Sequence, residues 1–186
     1  KDVVESIVKH GAIGLIGDIM CADDRITSEH AAKADIVEHC TSALYSIAQT
    51  RLFHEEFLAQ GALKAILMLD KYPACFAMAA AILHLVSLEP EYREVIALDS
   101  AARSFLLHLA DAQGDPNSVS TLHSCAQTFF WLSRCTMQSR EELTSAGLIP
   151  MLIRLSRHSD DRVASACSEA LKNLSSGESS GIEEGT

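Results

Sequence analysis

Eight histidines, six cysteines and several paired acids are the residues of this chain that could do chemistry, and their spacing gathers none of them into a site. His54-Glu55-Glu56-Phe57 opens like a helical zinc-protease motif, but the second histidine is absent. Its two glutamates fit the solvent face of a short helix. Cys21, His30, His39 and Cys40 could each ligate a metal, yet their spacing matches no zinc pattern and no Cys-x-x-Cys pair occurs. His108, His123 and His158 stand alone. Asp23-Asp24 and Asp160-Asp161 fall in expected loops or at a helix start, not in a pocket. Glycine-rich phosphate loops and the Gly-x-Ser-x-Gly elbow are missing. These residues predict no enzyme, no metal site and no cofactor. Trp131, the single tryptophan, is of another kind, because tryptophan is enriched where proteins grip one another.

The elements that must position these residues recur. Cys40-x-x-Ala43-Leu44-x-x-Ile47, Met78-x-x-Ala81-Ile82-x-x-Leu85, Cys125-x-x-Thr128-Phe129-x-x-Leu132 and Cys167-x-x-Ala170-Leu171-x-x-Leu174 start 38, 47 and 42 residues apart. Each is one face of a helix. Recurrence near forty residues marks a solenoid of stacked helical units. A second signature runs upstream: Gly11-Ala12-Ile13-x-Leu15-Ile16-x-x-Ile19, Gly61-Ala62-Leu63-x-Ala65-Ile66-x-x-Leu69 and Gly147-Leu148-Ile149-Pro150-Met151-Leu152-x-x-Leu155. Each glycine predicts a tight turn between a short first helix and a second one, since glycine enters left-handed backbone freely.

Each unit thus holds three helices, near 1–49, 50–88, 89–135 and 136–176. The third unit has no glycine. Ala101 aligns best there, after a first helix from Glu91 to Leu98. Pro73 and Pro90 sit where first helical turns start, and Pro150 lies within one. Ser139 with Glu142 reads as a capping box, and Ser159, Asp160 and Asp161 offer caps to the last helix. Loops near 22–34 and 112–118 are long, and the first has room for extra helix at His30-Ala31-Ala32-Lys33. Residues 177–186 read as a flexible acidic Gly/Ser tail.

Apolar residues make up 48% of the chain, enough for a continuous core, and the net charge is −10. An acidic chain argues against nonspecific nucleic-acid binding, which needs Lys and Arg to displace counterions. The longest nearly apolar run, from Ala74 to Leu88, contains His84 and falls short of the roughly 20 residues of a membrane span. Cys40, Cys125 and Cys167 share a register with Met78, so they read as core fillers rather than ligands or bridges. That usage predicts a reducing compartment, the cytoplasm, with the nucleus also compatible.

The three-helix unit, its glycine turn and the ending Ala170-Leu171-Lys172-Asn173-Leu174-Ser175 resemble the armadillo repeat. HEAT repeats lack that turn. The resemblance covers residues 1–176 and implies an all-α, right-handed α-solenoid of about four armadillo-like three-helix repeats. It implies a protein–protein interaction scaffold whose third helices line a concave face. In peptide-binding armadillo proteins one asparagine per repeat holds an extended peptide there, and importin-alpha adds a tryptophan one turn earlier. Here Asn173 takes the asparagine position, aligned with Ser46, His84 and Trp131. One turn earlier stand Ser42, Ala80, Gln127 and Glu169, with no tryptophan, so the importin-alpha mode does not carry over. Arg134 alone offers the basic character of a beta-catenin-type groove.

The candidate partner-binding residues are therefore Ser42, Ser46, His84, Gln127, Trp131, Arg134, Glu169 and Asn173. The expected partner is another protein or an extended peptide segment, with an apolar or basic side chain against Trp131. The alternative is a structural subunit that packs laterally or end to end in a larger assembly, such as a cytoskeletal one. Self-association fits that alternative.

Overall fold

The structure, a computed structural model, describes residues 2–22, 30–112 and 118–176. Among these residues there are twelve α-helices, three short 3-10 segments and no strand. The helices come in threes. The first three are α1 (Asp2–Lys9), α2 (Ala12–Cys21) and α3 (His30–Ala48), and α4 (His54–Ala59), α5 (Ala62–Leu67) and α6 (Phe76–Ser87) follow. Then come α7 (Pro90–Leu98), α8 (Ser100–Asp111) and α9 (Ser118–Leu132), and last α10 (Met137–Ser145), α11 (Leu148–Leu155) and α12 (Asp161–Ser176). The chain divides into two compact units, residues 1–86 and 87–186. In the first, α2 packs on α3 and α5. In the second, α12 packs on α9 and α11, while α7 packs on α10.

The three glycines do what their register predicts. Gly11, Gly61 and Gly147 have φ of 90°, 79° and 97° and cap the starts of α2, α5 and α11. That left-handed backbone is open to glycine at little steric cost. The third repeat solves the same problem differently. Its turn lies at Asp99, not at the expected Ala101, which is already helical. Asp99 is extended, and its Oδ1 accepts from the Ala102 amide at 2.9 Å, a side-chain cap in place of a glycine turn.

Other expectations need correcting. Ser139 does not cap α10. Thr136 does, accepting from the Ser139 amide at 3.4 Å, while Ser139 is the buried third residue of the helix. Glu142 pairs instead with Arg103, at 2.8 Å. α3 begins at His30, so the His30-Ala31-Ala32-Lys33 stretch of the loop expected over 22–34 is helical, as its sequence allows. Residues 23–29, with Asp23-Asp24, residues 113–117 and the tail expected over 177–186 lie outside the described residues. His54, beside Glu55 and Glu56, is buried, and its Nε2 donates to the Ala48 carbonyl at 2.7 Å.

The cysteine register is not uniformly core. Cys125 and Cys167 are buried, but Cys40 is only half-buried, as is Met78. α3 buries the stripe Val37, Thr41, Leu44 and Ala48 and leaves Cys40 at its margin. Burial pushes the Cys125 and Cys167 thiols up to about 12 and raises Cys40 less far. A buried, protonated thiol is a poor nucleophile. In the native protein, Cys125 and Cys167 should react with a thiol reagent only on unfolding, with Cys40 ahead of both. Mass spectrometry of a labelling time course checks this. Equal rates for the three would contradict the packing.

Candidate functional site

The end of α9 carries the most distinctive surface of the second unit. Four helical residues set its geometry. Phe129 and Leu132 point into the core and are buried, so Trp131 between them must face away and is half-buried. Phe130 meets the Trp131 ring edge-on, with centroids 5.0 Å apart. The Arg93 guanidinium lies 4.5 Å from the Trp131 ring centre, and that of Arg134 lies 5.5 Å from it. Arg93 comes from α7 and is held in place: its Nε and Nη2 donate to the Ser87 and Leu88 carbonyls at 2.7 and 2.8 Å. Those carbonyls close α6, where a cation is favoured. Two cations thus flank one tryptophan on a chain whose net charge is −10.

Asn173 on α12 joins this patch through Ser133. Its Nδ2 donates to the Ser133 Oγ at 3.0 Å, and that hydroxyl donates to the Phe130 carbonyl at 2.7 Å. Arg140 Nη1 donates to the Asn173 carbonyl at 3.3 Å. The asparagine amide is therefore engaged inside its own unit. Gln127 lies half-buried one turn before Trp131. Glu169, exposed one turn before Asn173, pairs with Lys172 at 2.6 Å.

In the first unit the predicted residues are separate. Ser42 and Ser46 are exposed neighbours on α3, and the Ser46 hydroxyl donates back to the Ser42 carbonyl at 2.9 Å. Such back-bonding satisfies the hydroxyl within its own helix. His84 is half-buried near the end of α6.

Sequence reasoning missed Arg93, Ser133 and Glu94. Glu94 of α7 ties the third repeat to the fourth. It accepts from the Thr136 amide at 2.8 Å, from the Thr136 hydroxyl at 3.0 Å and from the Ser139 hydroxyl. Burial alone would raise the Glu94 carboxyl, but these hydrogen bonds outweigh it and hold it below its usual value. Beside it, burial and then the Glu94 charge push the Cys135 thiol up to about 12. Among the described residues no group of three His, Cys, Asp or Glu side chains could hold a metal ion, and no helix is long and apolar enough to cross a membrane.

Comparison with known proteins places this geometry. The Armadillo/beta-catenin-like repeat matches residues 137–176, which are α10, α11 and α12. The crystal structure of an engineered protein superposes with a TM-score of 0.75 at 18% identity, covering 95% of this chain and 69% of that one. A designed armadillo repeat protein in complex with the peptide (KR)4 superposes with a TM-score of 0.71 at 17% identity, covering 92% of this chain and 67% of that one. No curated protein matches the sequence. The fold is thus of the armadillo type: residues 137–176 match the armadillo repeat, and nearly the whole chain superposes on a designed armadillo repeat protein.

Proposed function

We propose that the chain is a non-enzymatic scaffold that binds an extended, acidic segment of a partner protein on its third-helix face, centred on Trp131. The observation that carries this reading is Trp131 flanked by Arg93 and Arg134. A partner carboxylate can pair with the exposed Arg134 while an apolar side chain packs on the free part of the indole. Within the second unit, Gln127, Glu169 and Asn173 are the polar positions proposed to hold the backbone beside Trp131; in the first unit Ser42, Ser46 and His84 are proposed as polar contacts of their own third helices.

The partner charge differs from that of the designed protein, whose peptide is (KR)4. Arg93 already covers one side of the Trp131 ring, so a lysine or arginine of a partner would meet a like charge there. Of the apolar or basic side chain expected against Trp131, the apolar one therefore fits, with the partner's acid on Arg134. A cytoplasmic or nuclear setting belongs to the same reading, since Cys125 and Cys167 serve as buried core fillers at the repeat register.

Selection from a displayed peptide library tests it. Peptides carrying Asp or Glu next to an apolar residue should be enriched, and (KR)4 should not bind. Trp131→Ala should weaken the selected peptide by about 2 kcal/mol, near thirtyfold. Enrichment of basic peptides, or unchanged affinity in the Trp131 variant, would contradict the reading.

A further inference from the structure

We infer that Arg93 sets which partners Trp131 accepts: it occupies the cation site of the indole from within the chain and turns basic segments away. The inference rests on the reading of Trp131 as a partner-binding residue and adds the side chain that decides its selectivity.

A half-buried indole on an acidic chain is by itself a site for a lysine or arginine. The ring face attracts a cation, and a net charge of −10 draws cations in from solution. Here the position is already filled. The Arg93 guanidinium lies 4.5 Å from the ring centre, inside the roughly 6 Å reach of a cation–π contact.

Arg93 is also fixed there. It is half-buried, and its Nε and Nη2 donate to the Ser87 and Leu88 carbonyls at 2.7 and 2.8 Å. A planar fork makes both bonds at once, which a lysine ammonium does not reproduce. Both acceptors are neutral carbonyls, so the positive charge stays beside the indole. Arg134 differs. It is exposed and shared between the Phe130 and Trp131 rings, at 5.6 and 5.5 Å, so it can turn outward to meet a partner carboxylate.

Selectivity follows from what each approaching side chain must give up. A lysine or arginine has to sit against a like charge or displace Arg93. Displacement takes the guanidinium donors away from two carbonyls at the end of α6. A carboxylate or an apolar side chain meets neither cost. The overall charge of the chain favours a basic peptide, so its rejection is a local property of Arg93.

Titration of the full 186-residue chain with the (KR)4 peptide tests this, read by the emission of its single tryptophan. Peptide that gathers elsewhere on the acidic chain leaves that signal unmoved. The wild type should show no saturable change. Arg93→Gln keeps an amide donor for the carbonyls but removes the charge. It should show a saturable change and bind (KR)4 at this site about tenfold more tightly than the wild type. Arg93→Met removes the charge with a flexible apolar chain and should do the same. Arg93→Lys keeps the charge and should behave as the wild type. Circular dichroism of each variant reports its folding.

Unchanged emission in both folded neutral variants overturns the proposal. So does a wild type that responds to (KR)4 as strongly as they do. A lysine variant that gains as much as the glutamine variant overturns it too, because charge would then not be the cause. Loss of helix in both neutral variants would make Arg93 a residue of stability rather than selectivity. The acidic-peptide selection with the wild type is a separate result: its failure removes the proposed partner and leaves the effect of Arg93 on (KR)4 as measured.

Discussion

Phe129→Ala should cost the protein about 3–5 kcal/mol of unfolding free energy, the range for removing a buried aromatic ring. Phe129 is buried in the middle of α9, and a gap of only about 10 Å³ separates it from Arg103, Leu106, Leu143 and Leu148. Little slack exists for neighbours to close over the missing ring, so a cavity remains. Two residues along, Trp131→Ala should cost about 1 kcal/mol, since it gives up mainly a partly exposed contact with Arg93. Urea unfolding of both variants separates the two roles. A Trp131 variant as unstable as the Phe129 variant would put the tryptophan in the core and remove it from the binding face.

Glu94→Gln should cost about 1.5–3 kcal/mol, the range for hydrogen bonds to a charged group. The carboxylate accepts from the Thr136 amide and hydroxyl and from buried Ser139, which together fix the start of α10 against α7. An amide in its place turns an N–H toward donors. The pH dependence has a definite sign. The native Glu94 carboxyl is held below its usual value, so its contribution is fully present above the ordinary carboxylate range. It is lost as pH falls through the lowered native value, where the carboxylate takes a proton. The stability gap between wild type and Glu94→Gln should therefore be full at neutral pH and close on acidification. A gap that widened in acid would show that Glu94 is not the acceptor at this joint.

The repeating parts of the fold were legible because they rest on local rules. A glycine four residues after a buried apolar position, as at Gly61 and Gly147, has one steric meaning wherever it falls. The third repeat escaped because Asp99 replaces backbone freedom with a side-chain acceptor, and aspartate is common in loops of every kind. Thr136 won the cap of α10 over Ser139 because Glu94, distant in sequence, draws Ser139 inward.

The same limit governs the candidate site. Register placed Trp131 outside the core and Phe129 and Leu132 inside it. It could not place Arg93 over the ring, since α7 and α9 meet only by stacking. Nor could it expose Ile7 and Ile19. Their residue types match those that are buried at the same register in later repeats.

Because Trp131 is the only tryptophan, its fluorescence reports on the proposed binding face alone. Titration with an acidic peptide selected by the wild type should change the emission along the same saturation curve that calorimetry records. The bound peptide should also shield the indole from a neutral collisional quencher. A peptide that binds by calorimetry while Trp131 emission and quenching stay unchanged would place the partner elsewhere on the molecule and contradict the central claim.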